Sequence, residues 1–320
     1  MTVGTDAADA AEVAASGRVV VGFDESEGAN QAVRWAAVEA LRRNLTLRIV
    51  TAFGPDYIFT TDEECRTYMD KVADQAVSEA KAAAPGVSVE HQGHRDLAGP
   101  ALREESESAD LLVVGSRGRG GFAGLLLGSV GRQCVHRAAC PVVVVRPSEP
   151  GDTAAKTGEP AVREIPHRER QESEGPRIVV GVDGSLSSNA GLLWAAEEAE
   201  STGATLELLH SWEWLTGAGW AIIPSDFDPQ HGASILLDEG ARTARCGHPN
   251  LTISAVVVQG QAADRLVEAS NGAELLVVGC RGHGGLSGLL LGSVSEYCAT
   301  HAHCPVLVMR GTQTDLSTGE

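Results

Sequence analysis

The sequence predicts an α/β fold of two tandem doubly wound domains, each a five-stranded parallel sheet in the order 3-2-1-4-5 with helices on both faces. Three observations predict it. Short apolar runs alternate with helical patterns along the whole chain, the signature of parallel strands joined by right-handed crossovers. The runs are continuous and β-branched rather than alternating, as in strands covered on both faces. The pattern then repeats: Leu111-Leu112-Val113-Val114-Gly115 returns as Leu275-Leu276-Val277-Val278-Gly279, 164 residues later, which divides a chain of 320 residues almost in half.

The elements follow in order. Residues 18–24 form the first strand, with Asp24 at its carboxyl end. From Ser26 the apolar positions Ala29, Ala32, Val33, Ala36, Ala37, Ala40 and Leu41 fall at three- and four-residue spacing, and Arg42-Arg43 closes the last turn of a helix. Residues 45–52 are the second strand, and a helix over about 62–84 is stopped by Pro85-Gly86. A short third strand at 87–91, a helix at 100–106, the fourth strand at 111–114, a helix at 129–138 and the fifth strand at 141–145 complete the first half. In the second half the strands are 177–183, 206–211, 251–258, 275–278 and 305–309, and the first helix is 187–200, with Trp194 matching Trp35. Asp183 and Trp194 stand 159 residues from their counterparts, against 164 for the glycines, so five residues are gained in the middle of the second half. Residues 212–232, rich in Trp, Pro and Gly, are the expected place of that gain and are given no regular structure.

The expected boundaries are a disordered acidic tail at 1–16, a domain at 17–147, a flexible linker at 148–176, a second domain at 177–311 and a tail at 312–320. The linker is rich in Pro, Glu, Gly, Ser and Arg, and as a coil it reaches about 30 Å, enough to join two domains side by side. Net charge is −18, and neither half is basic, which argues against nucleic acid as a partner. The first residues carry neither a basic n-region nor an apolar h-region, and no apolar run approaches the roughly 20 residues of a membrane span, so a soluble cytoplasmic protein is expected. Seven cysteines lack CxxC spacing, which speaks against a disulfide framework or a standard zinc site. Cys134 and Cys140 match Cys298 and Cys304 and read as small packing residues, with redox sensing as the alternative.

The chemistry lies after the fourth strand of each half. Gly115-Ser116-Arg117-Gly118-Arg119-Gly120-Gly121 and later Gly128-Ser129 recur as Gly279-Cys280-Arg281-Gly282-His283-Gly284-Gly285 and Gly292-Ser293. Glycines let backbone N–H groups approach a ligand, and the helix that follows adds unpaired donors and a favourable dipole, so each stretch reads as a phosphate cradle. Ligands of open parallel sheets sit beyond the carboxyl ends of the strands where strand order reverses, which is where Asp24 and the Gly115 loop converge. No Gly-x-x-x-x-Gly-Lys-Ser/Thr is present, and the glycines do not follow the first strand, so neither a P-loop nor a dinucleotide fingerprint applies.

Gly-x-x-Gly, nine residues, then Gly-Ser, with an acid after the first strand, resembles the universal stress protein family in its tandem, ATP-binding form. Gly115, Gly118, Gly128 and Ser129 match its phosphate motif, as do Gly279, Gly282, Gly292 and Ser293. The resemblance implies ATP, with or without Mg2+, held by these loops and by the helix starts at Val130 and Val294, with Asp24 and Asp183 near the ribose and triphosphate. It also implies backbone contacts to adenine at Ala52 and Ser211, where the second strand of each half ends. Arg117 and Arg281 join the list as cations on the loops. Asp96 departs from the pattern, standing where the second half has Gly260.

Other readings stay open. Asp24 and Asp183 could cap the following helices, as could Ser129 and Ser293. His301 and His303 lie between Cys298 and Cys304, in no standard zinc spacing. The expected function is a nucleotide-dependent stress-response or signalling module rather than an enzyme, with slow ATP hydrolysis left open, since no nucleophile, His–carboxylate pair or base stands out by spacing. The alternatives are an enzyme cleaving ATP at the α-phosphate, which would need a Ser-Gly-Gly-x-Asp-Ser type loop where this chain has Phe23-Asp24-Glu25-Ser26, and a scaffold that binds no nucleotide. Arg119 has His283 as its counterpart in the repeat, so the first half is expected to bind ATP more tightly near neutral pH. Residues 142–145 and 306–309 are bare apolar edges of their domains, expected to pair within one chain, with a homodimer also open.

Overall fold

The computed structural model of the chain describes residues 17–54, 61–118, 127–146, 175–213, 228–282 and 291–310. The first half runs β1 (Arg18–Gly22), α1 (Glu27–Arg42), β2 (Thr46–Ala52), α2 (Asp62–Ala83), β3 (Val89–His94), α3 (Ala98–Ser106), β4 (Leu111–Gly115), α4 (Ser129–Arg137) and β5 (Val142–Val145). The second half runs β6 (Arg177–Gly181), α5 (Leu186–Thr202), β7 (Thr205–Trp212), α6 (Pro229–Gly247), β8 (Ile253–Gln259), α7 (Ala262–Ala269), β9 (Leu275–Gly279), α8 (Ser293–His301) and β10 (Val306–Met309). The ten strands form one sheet, ordered β3-β2-β1-β4-β5-β10-β9-β6-β7-β8. Each half therefore has the 3-2-1-4-5 order that alternating strands and helices predict.

Side-chain alternation along each strand builds two cores. Val19 and Val21 of β1 face the layer of α1, α2, α5 and α6, whereas Val20 faces the layer of α3, α4, α7 and α8. The helices bury stripes of small residues: Ala29, Ala32, Val33, Ala36, Ala37 and Ala40 on α1 are all buried, which lets the helix lie close to the sheet. Helix α1 gives way to Asn44, in the left-handed region at φ 54°, where the second half has Gly203 at φ 69°. Asparagine tolerates that conformation better than other residues with a side chain, so one helix ending is written in two ways.

The halves join where β5 and β10 pair antiparallel, with Val143 opposite Leu307. Both residues are fully buried, and both cores continue across the seam. On the α1–α5 side the buried carboxylates Glu39 and Glu198 meet Arg42 and Arg43. Arg42 bonds both acids, Arg43 bonds Glu39 and lies 2.8 Å from Glu198, and its guanidinium stacks 4.5 Å over the Trp194 ring. Burial and the neighbouring Glu39 push the Glu198 carboxyl above its ordinary range, with Arg42 and Arg43 pulling the other way. On the opposite side Arg132 of α4 reaches Glu296 of α8 at 2.5 Å.

Strand β3, helix α6 and the turn at Gly260 differ from the sequence expectation, and helix α7 was not expected. Strand β3 begins at Val89, because Val87 is held in a turn by its N–H bond to Ala84 O (3.0 Å), and it continues through polar Gln92 to His94, which the ladder with β2 supports. Helix α6 occupies 229–247, partly in the stretch left without regular structure. Asp228 caps it by accepting from His231 N–H (3.1 Å), and Pro229 sits in its first turn, where a missing N–H costs nothing. At the expected departure, Gly260 turns at φ 128° and donates to Trp212 O at 2.9 Å, so β8 runs one residue further than β3.

Candidate functional site

Strand β1 ends at Gly22, and the chain beyond it makes one more ladder bond, from Phe23 N–H to Val50 O at 2.9 Å. Asp24 therefore stands just past the sheet. Its Oδ1 accepts from Ser26 N–H at 3.1 Å and Ser26 Oγ at 2.5 Å, and Ser26 in turn caps α1 by accepting from Ala29 N–H at 3.2 Å. In the second half Asp183 accepts from Ser185 N–H at 2.9 Å, and Ser185 caps α5 through Ser188 N–H at 3.2 Å. The caps are thus Ser26 and Ser185. The aspartates hold those serines through Oδ1, and their Oδ2 is directed at the glycine loop.

That direction is fixed by how closely the loop passes. A Cβ built on Gly118 would overlap Asp24 Oδ2, and one on Gly282 would lie 2.6 Å from Asp183 Oδ2. Gly115 and Gly279 serve another close approach, since a Cβ there would fall 2.7 Å from Gly28 C or 2.8 Å from Ser188 N, in the first turn of α1 or α5. The excursion that begins at Arg117 returns at Gly128, whose N–H bonds Ser116 O at 2.7 Å; Gly292 bonds Cys280 O at the same distance.

Gly128 and Gly292 are the N-caps of α4 and α8, and neither helix has a side-chain cap bond. Ser129 and Ser293 are instead the first helical residues, and both are exposed. The reading of these serines as N-caps is corrected. The first-turn N–H groups, including those of Val130 and Val294, have no partner within their helix and suit an external acceptor, while the two valine side chains pack against the core. Arg117 adds a buried Nε without a hydrogen-bond partner, and its carbonyl accepts from Ser26 Oγ at 3.3 Å.

Ala52 and Ser211 complete the arrangement. The ladder between β1 and β2 ends with Gly22 opposite Val50, and that between β6 and β7 with Gly181 opposite Leu209. Val50 and Leu209 direct their carbonyls toward β1 and β6, so by alternation the backbone groups of Ala52 and Ser211, two residues on, point the same way beyond those strands. Asp24, Ala52, Gly115, Arg117, Gly118, Gly128, Ser129 and Val130 are thereby gathered at one strand-end crevice. Asp183, Ser211, Gly279, Arg281, Gly282, Gly292, Ser293 and Val294 are gathered at the other. Arg119, Gly120, Gly121, His283, Gly284 and Gly285 lie outside the described residues.

The second crevice is tied by serines that the motif did not single out. Ser185 and Ser187 Oγ donate to Arg281 O at 3.1 and 2.8 Å, and Ser295 Oγ donates to Cys280 O at 3.2 Å. Ser187 and Ser295 correspond to Gly28 and Gly131 in the first half. Superposing the repeat at its two offsets would have revealed these substitutions.

The universal stress protein family model matches residues 16–146 and 176–310. The chain belongs to that family. The universal stress protein Rv2623 of Mycobacterium tuberculosis strain H37Rv is 32% identical over 307 residues, covering 92% of this chain and 97% of that protein. Universal stress protein Rv2005c of the same strain is 32% identical over 310 residues, covering 91% and 96%. A universal stress protein from Archaeoglobus fulgidus DSM 4304 shares the fold, with a TM-score of 0.64 at 18% identity over 92% of this chain and 98% of that one.

Among the described residues two hydrogen-bonded His–carboxylate pairs escaped the reading by spacing: His94 Nε2 lies 2.8 Å from Glu105, and His248 Nδ1 lies 2.6 Å from Glu200. The first is an ion-pair group, because Arg48 also reaches Glu105 at 3.0 Å. Burial pushes the Glu105 carboxyl up, but the His94 bond and the Arg48 guanidinium outweigh it and hold the group below its ordinary range. Burial drives the thiols of Cys134, Cys140, Cys298 and Cys304 up to about 12, which fits packing rather than redox chemistry. Among the described residues, no helix is long and apolar enough to cross a membrane and no group of three or more His, Cys, Asp or Glu side chains could hold a metal ion.

Proposed function

We propose that this universal stress protein binds adenine nucleotide, with ATP as the physiological ligand, at two sites, and that occupancy alters its shape or its partners in a stress response. The observation that carries this reading is the convergence of an aspartate oxygen, a glycine loop and an uncapped helix start on one strand-end crevice, repeated in both halves. The donors suit phosphate: first-turn N–H groups of α4 and α8, loop backbone, and the Arg117 guanidinium with its orphaned Nε. The adenine edge would be read by the outward backbone of Ala52 and Ser211. Asp24 and Asp183 face ribose hydroxyls, or a Mg2+ that the triphosphate brings with it. We read such a site as one that binds, with slow ATP hydrolysis left open.

The serine ties of the second crevice and the cationic residues of the first loop favour different sites, and the charge difference between Arg119 and His283 makes the first half the tighter one in this reading. Equilibrium dialysis of the full chain against ATP at sub-millimolar concentration tests the core claim. Two equivalents bound per chain are expected, falling to one in Ser129→Trp or Ser293→Trp. No binding to either half would overturn it.

A further inference from the structure

Helix α4 carries the phosphate donors of the first site at its N-terminus, and its other end is held by the second half. Arg310, the residue after β10, donates from its guanidinium to Val135 O at 2.6 Å and to Cys134 O at 3.4 Å, in the last turn of α4. The reverse contact also exists. Arg146, the residue after β5, donates to Ala302 O at 2.8 Å, the C-cap of α8. Arg146 and Arg310 are repeat counterparts, so the exchange is reciprocal.

Sheet topology explains the crossing. Because β5 and β10 run antiparallel, the carboxyl end of β10 lies beside the amino end of β5, which α4 approaches with its C-terminus. Helix α4 spans nine residues, about 13 Å, from the first site to the edge of the sheet that carries the second. A cation at the C-terminus of so short a helix satisfies its last carbonyls and reinforces the dipole whose positive end meets the phosphate. Arg310 is itself tied to the second site: Met309 O accepts from Cys280 N–H at 2.8 Å, at the start of the second glycine loop. Arg146 has the same relation to the first, because Val145 O accepts from Ser116 N–H at 2.8 Å.

We propose that each arginine is a positioning residue for the anion site in the opposite half: Arg310 supports the first site through α4, and Arg146 supports the second through α8. The inference rests on the nucleotide reading above. The half that owns the arginine does not own the site that needs it.

The test uses full-length chains with one site closed by tryptophan, ATP affinity being measured by calorimetry. With Ser293→Trp closing the second site, Arg310→Met is expected to weaken ATP at the first site by about three- to tenfold, and Arg146→Met to leave it within about twofold. With Ser129→Trp closing the first site, the two arginine variants exchange roles. Arg310→Lys, which keeps the charge, restores most of the affinity, as loss of packing alone would not allow. Arg310→Gln serves if the Met variant fails to fold by circular dichroism, since it keeps a donor without the charge. Loss at the arginine's own half, equal loss at both sites, or no loss at either would overturn the proposal. Absence of ATP binding in both tryptophan parents would instead overturn the nucleotide reading on which it stands.

Discussion

Substituting Gly282 by alanine tests whether the loop and the aspartate are as tightly apposed as the geometry implies. The new Cβ would lie 2.6 Å from Asp183 Oδ2, where ordinary van der Waals contact begins near 3.4 Å. Gly282 is not among the glycines with positive φ, so the cost is steric and not conformational. The carboxylate cannot swing aside freely, because its other oxygen takes the Ser185 N–H bond at 2.9 Å. Overpacking of this kind costs about 1–3 kcal/mol. Asp183→Ala alone loses one hydrogen bond, about 0.5–1.5 kcal/mol. The double variant has no clash left, so it should be no less stable than Asp183→Ala, a coupling of about 1–3 kcal/mol. Urea denaturation of the four proteins in this cycle measures it. Additive losses, within about 0.5 kcal/mol, would mean that loop and carboxylate do not touch, and the site geometry built on their contact would fall.

Leu307→Ala, at the centre of the seam, should cost about 3–5 kcal/mol in urea melts, and the chain should still unfold in one transition because both cores cross the seam. Glu105→Gln should destabilise by about 1–3 kcal/mol at pH 7. Since the folded carboxyl titrates below its ordinary 4.5, its contribution is present above that value and lost as pH falls through the folded pKa, so the gap to the parent should narrow in melts at pH 4 and close further below. Of the seven thiols only Cys246 is exposed, so a thiol reagent at pH 8 should label one equivalent rapidly in the native state and none in Cys246→Ser.

The fold was legible because its strands are buried on both faces, which makes them continuous apolar runs, and because the loop glycines and the strand-end aspartate of the first half recur in the second. Helix α6 was not legible, since Pro229 and the glycines before it read as breakers, whereas Pro229 follows an Asp N-cap and opens the helix. The candidate site was legible where the chain is local: Gly115, Gly118 and Gly128 mark one loop. The partners that come from afar carry no spacing signal. His94 with Glu105 and His248 with Glu200 meet through packing of separate elements. Arg146 and Arg310 simply follow apolar strands in the sequence, and only the antiparallel seam gives them their targets. The serine ties of the second crevice were visible as differences between repeats, but their meaning needed the distance from Ser187 to the Arg281 carbonyl.

The antiparallel junction of β5 and β10 has one more result. It turns the carboxyl ends of the two sets of parallel strands to opposite margins of the sheet, with β1 and β6 five strand spacings apart, about 24 Å. On the nucleotide reading proposed above, crevices that open away from each other would take two separate molecules and not one dinucleoside polyphosphate bridging them. The chain then has four occupancy states. A protein that docks at one margin reads one bit of them, and reading both requires a partner large enough to reach around the sheet, or two partners at once.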